Sequence, residues 1–561
     1  MYRKSNKEPQ LDVFASIAHM LDKKASKQYN NAKGWHNLFR EHITLKIDET
    51  PFRILFDEKM GAPNASISVL LGMMIMKEAF GYSDSQLFEQ CRFNLLARAA
   101  LGLTNINDDI PVESTYYLLR KRIYEHQRLH DEDLIEKVFQ HITSEQIKLF
   151  GVKGDQIRMD SKLIGSNIAL YSRYEVIHQT LTGFYKSIDP SIPVKLAKDE
   201  KGQLASILEE EAQKTVYRCT KAEIRTRMDN LGLIIFKTLK RYKRFAETPA
   251  YQLLERVFNE QYKLLPGSQV ELRPKEEIKA DSLQSPHDPD CTYRHKGDQE
   301  VKGYSVNITE TSSDQALNLI TSVEVEKANI PDTQFVKSAI ENTVEVTQQK
   351  VEKVYADGAY QSPAHDEYCQ GIDMVYTGIQ GYSSRYDLEM TRQGLLVTDT
   401  KTGEKHLASL AKKINSSTED RWKFTDRQGN KVYFSHQAIR TSELRRTMKA
   451  RPIEELQKRN NVEATIFQFS YPLKNNKSKY RGLLKQKTFA YCRCLYINFV
   501  RIMLYEKQLC QRTLCAQKSG SLIMFLRTLS AIYRSKINIC REKWTDLFTT
   551  VCYRNQFVLF S

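Results

Sequence analysis

The sequence predicts a mixed α/β protein, and three observations carry that prediction. Residues 1–135 space their apolar side chains as helices do, residues 290–325 alternate apolar and polar as paired strands do, and a helix-like run at 333–348 leads into a further strand, KVYADGAY. Strand, hairpin strands, helix and strand in that order describe a mixed sheet with helices packed on it. With 561 residues, 41% hydrophobic and 27% charged, the chain is long and apolar enough to bury a substantial core.

Taken in order, Ile67–Phe80 is apolar apart from Lys77 and Glu78 and is broken by Gly81-Tyr82-Ser83. Ser83 or Asp84 is placed to cap a following helix, Gln86–Ala100, with Leu87, Cys91, Leu95, Leu96 and Ala99 on one face. After Pro111, Ser114 or Thr115 is the expected cap of Tyr116–Tyr124, in a run that mixes aromatic and basic residues (STYYLLRKRIYEHQRLH) and suits either a DNA-binding region or an ordinary helical bundle. Gln156–Asp160 is a strand candidate. Residues 197–262 read as a helical insertion with Pro249 as a break. CTYRHKGDQEVKGYSVNITET and ALNLITSVEVEK are strands, with His295–Asp298 as the first turn, and Asp332 is a candidate cap for the helix at 333–348. Residues 372–440 contain MVYTGI, GLLVTD and KVYFSH between glycine-bearing turns, a β-rich insertion. A helix at 453–469 and another at about Thr488–Tyr505 follow. The domain division expected from this pass is 1–135 helical, 150–371 the first part of the core, 372–440 β-rich, 441–505 the C-terminal part of the core, and 506–561 a basic extension of unassigned role.

The net charge of +16 is unevenly spread. Residues 421–561 hold 28 Lys and Arg against 8 Asp and Glu, so all the positive excess lies in the C-terminal quarter. Such a field attracts nucleic acid or an anionic membrane surface. No apolar run approaches the roughly 18–20 residues that span a bilayer, and the start, MYRKSNKEPQLDV, lacks an apolar signal core. A cytoplasmic protein with no membrane partner is the expectation. The cysteine pairs Cys492/Cys494 and Cys510/Cys515 lack zinc-site spacing, and no histidine follows His436.

Three acids stand out. Asp160 follows Ile157 and Met159 at strand spacing, and Asp357 follows Val354 and Ala356 in the same way, with Gly358 permitting a sharp exit and a close backbone approach. A carboxylate at a strand's end points into the crevice where sheets bind ligands, although either Asp taken singly also reads as a turn or cap residue. Glu463 lies one helical turn beyond Arg459, so the two share a face where Arg459 can pair with Glu463 or reach a phosphate. Converged by a fold, three carboxylates are hard oxygen donors for Mg²⁺ or Mn²⁺.

From about Phe52 to about Arg501 the chain resembles bacterial insertion-sequence transposases of the DDE type, which have a ribonuclease H-like catalytic core and a helical N-terminal domain. SVLLGMMIMKEAFGYSDSQLFEQCRFNLLARAALGL and STYYLLRKRI resemble that helical domain. Asp160 in RMDSKLIGSN matches the family's first catalytic Asp, with Lys162 where a small residue is usual. Asp357 in YADGAY matches the second, and Glu463 matches the catalytic Glu. Many relatives surround that Glu with Y-x2-R-x3-E-x6-K. Arg459 fits, while Leu456 and Ser470 stand at the Tyr and Lys positions, and Lys474, Lys477 and Lys479 are the candidate substitutes.

The resemblance implies a ribonuclease H-like core with Asp160, Asp357 and Glu463 holding two Mg²⁺ (or Mn²⁺) ions about 3.5–4 Å apart. It implies cleavage and strand transfer of element-end DNA. It also implies double-stranded DNA as the partner, both the terminal inverted repeats and the target, a homodimer on the two element ends, and a nucleoid-associated location. The basic C-terminal quarter would track phosphates and the helical N-terminal region would read bases, with Arg120, Lys121 and Arg122 as candidate phosphate contacts. Two other readings fit the same residues: an inactive DNA-binding remnant of a mobile element, and a metal-dependent nuclease that does not transpose.

Overall fold

The computed structural model describes residues 1–5, 15–188, 198–297, 299–365, 368–379, 385–411, 421–426 and 429–518. Helices and sheets alternate along the chain as the mixed α/β prediction requires. Residues Met1–Arg501 form one compact unit and Ile502–Ser561 another. The second is described through Lys518 and is helical that far. The run SLIMFLRTLSAIY and most of the basic extension lie outside the described residues. Among the described residues, no helix is long and apolar enough to cross a membrane.

The helix Ile67–Phe80 is buried on nearly every side, as its unbroken apolar sequence dictates. Ser66 caps it by accepting from the Val69 amide, and Gly81 ends it at φ 66°, a left-handed conformation that suits glycine. Of the two candidate caps that follow, Ser83 is the one used, in a reciprocal box with Gln86. The single helix expected over Gln86–Ala100 is two, Asp84–Phe93 and Leu95–Ala100. Asn94 breaks it by turning extended and accepting from the amides of Leu96 and Ala97, because a short polar side chain competes for backbone donors. The next helix starts earlier than expected, at Glu113, and runs to His130. Ser114 and Thr115 lie inside it, and Val112, at the cap position, offers no side-chain bond.

The main sheet is built from β1 (Gln156–Gly165), β4 (Thr292–Lys296), β5 (Gln299–Thr311), β6 (Ile320–Lys327), β7 (Lys353–Ala356) and β8 (Asp373–Tyr376); β2 (Tyr262–Leu265) and β3 (Gln269–Leu272) form a separate hairpin. β5 pairs antiparallel with β1, β4 and β6, whereas β7 runs parallel to both β1 and β8. β5 is buried throughout Gly303–Thr311, as befits a strand with neighbours on both sides. The turn before it includes Gly297 at φ 60°, and Asp298 lies outside the described residues. MVYTGI was expected to open the β-rich insertion. Its residues Met374–Tyr376 instead extend the main sheet in β8, drawn there by parallel pairing with β7.

The helix Phe335–Thr347 seals one face of this sheet. Phe335, Val336, Ala339 and Ile340 pack with Ile157, Met159, Val354 and Ala356. Asp332 does not cap it through a side-chain bond. It lies in a preceding 3-10 turn and accepts a 3.0 Å bond from Arg294, because that guanidinium is the stronger partner for a buried carboxylate.

Gly303 of β5 is the ladder partner of Gly165 of β1. A Cβ there would stand 2.0 Å from the Ile164 carbonyl oxygen. Gly303→Ala is therefore expected to cost about 1–3 kcal/mol through forced separation of the strands, read as a lowered thermal midpoint. A midpoint equal to that of the unmodified protein would show that the two strands can part freely.

The helical insertion begins earlier than its sequence pattern, with Arg173–Ser187, and continues through Lys221–Arg241 and Pro249–Gln261, where Pro249 opens a helix. It has its own core of Ile177, Leu181, Phe184, Leu231, Ile235, Leu254 and Val257. The β-rich insertion is a five-stranded antiparallel meander, β9 (Tyr386–Thr391), β10 (Gly394–Asp399), β11 (Lys405–Ala411), β12 (Arg421–Thr425) and β13 (Lys431–Phe434). GLLVTD is β10 itself. KVYFSH stops at Phe434, because Ser435 caps the helix His436–Ala450. The helix expected at 453–469 is interrupted at Lys458 and Arg459, giving Ile453–Gln457 and Asn460–Ser470. The one after it is longer than expected, Leu483–Lys518.

Candidate active site

The pairing of β1 with β7 fixes where the two aspartates lie. Arg158 is the partner of Tyr355 in the parallel ladder, and two residues further along each strand come Asp160 and Asp357. They thus occupy corresponding positions, Asp357 just past the end of β7 and Asp160 in the middle of β1, which does not stop at Asp160 as expected but stays paired with β5 through Gly165. Asp357 caps the short turn Gly358–Tyr360 by accepting a 2.7 Å bond from the Gly358 amide. The turn is sharp because Gly358 has no side chain: a Cβ there would lie 1.5 Å from the Gly378 carbonyl oxygen. Tyr360, fully buried, donates to Asn307 of β5 at 2.7 Å and pins the turn to the sheet.

The helix Asn460–Ser470 crosses β1 and β5 and brings Glu463 to this end of the sheet. The i,i+4 pair expected from sequence is present, with Arg459 Nη1 3.0 Å from Glu463 Oε1. What the sequence did not reveal is that the same guanidinium reaches β1, with Arg459 Nη2 3.0 Å from Asp160 Oδ2. The side chains of Asp160 and Arg459 are 17% and 13% exposed, against 58% for Glu463. Burial pushes the Asp160 carboxyl above its usual range, and Arg459 opposes that rise. Among the described residues, no three His, Cys, Asp or Glu side chains already form a cluster able to hold a metal ion. The donor chemistry at this sheet end is carboxylate oxygen, which suits a hard divalent cation, and the cation present between Asp160 and Glu463 is the guanidinium.

A second charged group beneath these residues went unnoticed in the sequence. Glu310 of β5 is fully buried and is the ladder partner of Arg158. Its carboxylate pairs with Arg158, lies 2.7 Å from Arg501, and accepts a 2.7 Å bond from Thr465. Burial alone would raise its pKa, yet Arg501 and Arg158 hold it below the usual glutamate value. The cluster ties Thr465, two residues beyond Glu463, to the centre of the sheet. The available signal was a Glu inside a strand that otherwise reads as buried.

The lysines proposed as phosphate contacts are largely engaged elsewhere. Lys477 donates to the Ile168 carbonyl at 2.5 Å and Lys479 to the Gly81 carbonyl at 2.7 Å, so both bind backbone, the latter at a helix C-terminus where a cation is favoured. Lys474 is exposed. Arg120 and Arg122 lie over the rings of Tyr116 and Phe56 at 5.5 and 5.1 Å. Arg120 also lines a small pocket with Glu78, Tyr124 and Tyr480. Lys121 points outward, 70% exposed and 3.6 Å from Glu125.

Residues 27–122 match the family model described as a transposase domain (DUF772). The match supports a transposase of insertion-sequence type, with a transposition-related function and DNA as the general partner. No curated protein and no solved structure matches the chain.

Proposed function

We propose that this chain is a DDE transposase that cuts the ends of an insertion sequence and joins them to target DNA. In this reading the main sheet is a ribonuclease H-like core, and Asp160, Asp357 and Glu463 are its catalytic carboxylates. The observation that supports the reading is that Asp160 and Asp357, from distant parts of the sequence, stand at corresponding positions on adjacent parallel strands, and that Arg459 joins Asp160 to Glu463. The sheet order, with one antiparallel strand (β5) beside β1 and two parallel strands (β7, β8) on its other side, supports the same reading.

Three carboxylates with no His or Cys suit two Mg²⁺ or Mn²⁺ ions, which when bound lower the pKa of an attacking water or 3′-OH and neutralise charge at phosphorus. The protein's part is rigidity and charge. Asp160 within β1 and Asp357 at the end of β7 hold corresponding positions on paired strands, so their separation is set by the sheet. The Tyr360–Asn307 bond holds the turn after Asp357, and the Glu310 cluster holds the helix of Glu463. The transposase domain at 27–122 would bind the element ends, and a homodimer on DNA is the economical assembly for two ends.

The test is incubation of the full chain with labelled element-end duplex and Mg²⁺. Cleavage followed by strand joining is the expected result. Binding without cleavage would make the protein an inactive remnant, and cleavage without joining a nuclease.

A further inference from the structure

We propose that Arg459 is an internal counter-ion that keeps divalent metal out of the site until DNA draws the guanidinium away. The inference rests on the reading of Asp160, Asp357 and Glu463 as metal-binding carboxylates, and adds how that site is loaded.

The geometry is specific. One guanidinium spans two carboxylates at 3.0 Å each, on side chains contributed by β1 and by the helix Asn460–Ser470. Asp160 is mostly buried, and a mostly buried ionised carboxylate with no partner is costly, so its charged form favours a cation beside it. In the resting protein that cation is Arg459. A divalent ion entering between Asp160 and Glu463 would meet a positive group already bonded to both, so metal and guanidinium compete for the same oxygens. Lys296 of β4 adds further positive charge near Asp160.

Release of Arg459 is built into the same arrangement. Its Nε is buried and has no hydrogen-bond partner, so the fork is incompletely satisfied where it stands. Glu463, its outer partner, is 58% exposed, so the Glu463 side of the bridge is open to solvent although the Arg459 side chain is itself only 13% exposed. A DNA phosphate arriving there offers two oxygens in the geometry that a guanidinium binds in bidentate fashion. Once Arg459 turns to the phosphate, Asp160 and Glu463 are left without their cation and their oxygens are available to metal. DNA and metal then bind cooperatively, and by linkage each tightens the other by the same factor. A protein so built does not arm its nuclease chemistry away from DNA.

Mn²⁺ binding to the full chain, followed by the loss of the free-ion paramagnetic resonance signal, tests this. A duplex carrying the element end is expected to tighten Mn²⁺ binding by about tenfold or more, within the range of ordinary coupling between sites. Arg459→Ala is expected to bind Mn²⁺ more tightly than the unmodified chain without DNA, by a similar factor, and to gain nothing further from the duplex. Arg459→Gln, which keeps an N–H donor and loses the charge, is expected to behave alike and covers a folding failure of the alanine variant. Equal Mn²⁺ affinity in the unmodified and neutral variants, with binding still lost in Asp160→Asn, overturns the counter-ion role alone. Mn²⁺ binding indifferent to Asp160→Asn in every background overturns the reading of the site itself.

Discussion

Asp357→Ala is expected to reduce cleavage of element-end DNA by about a thousandfold or more, the scale of losing several kcal/mol of metal-dependent transition-state stabilisation, while end binding stays within about twofold, since in the proposed reading the phosphate contacts that dominate DNA affinity are made elsewhere. The two readouts separate because Asp357 sits on the sheet end, whereas the transposase domain spans residues 27–122. Its carboxylate accepts only the adjacent Gly358 amide among the bonds described, so truncation removes charge from the site and little from the fold. Gel assays of binding and cleavage on one duplex check both halves. Undiminished cleavage removes Asp357 from the site.

The second large effect is on stability. Glu310→Gln leaves Arg158 and Arg501 facing a neutral group in the centre of the sheet. Breaking a buried ion pair from one side costs about 3–5 kcal/mol, and the chemical-denaturation midpoint should fall accordingly. A change of less than about 1 kcal/mol, the scale of an exposed pair, would mean that solvent screens the cluster. The pH dependence follows from the depressed pKa of Glu310. A carboxylate held below its unfolded value contributes stability that is complete above the usual glutamate pKa and disappears as pH falls through the lower folded value. The unmodified protein should therefore lose stability on acidification below about pH 4.5, and the Gln variant should lose less over that window. Cleavage should slow as well, because Thr465 loses its acceptor and the helix carrying Glu463 loses its anchor.

Much of the local structure was legible because it depends on neighbours in sequence. The helix Ile67–Phe80 announces itself by an uninterrupted apolar run ended by Gly81, and β10 by six residues between turn signals. The Arg459–Glu463 pair follows from helical spacing alone. Asn94 was harder, since an Asn is tolerated within a helix or ends one according to which backbone donors its side chain can reach.

The site divides along the same line. By itself the sequence determined that Asp357 follows the end of a strand, that Gly358 permits a close turn, and that Arg459 and Glu463 share a helical face, whereas the strand it ended at Asp160 runs on to Gly165. Only the tertiary structure decided that β7 lies beside β1 rather than β6, which puts the two aspartates at corresponding positions, and that Arg459 reaches across to Asp160. It also decided that Glu310 is neutralised by Arg158 and Arg501, and that the exposed Lys477 and Lys479 bond backbone carbonyls. The physical reason is range. Periodicity and capping act over a few residues, whereas strand order and the choice of ion-pair partner are set by burial across hundreds of residues, where a charge takes whichever opposite charge the packing brings within reach.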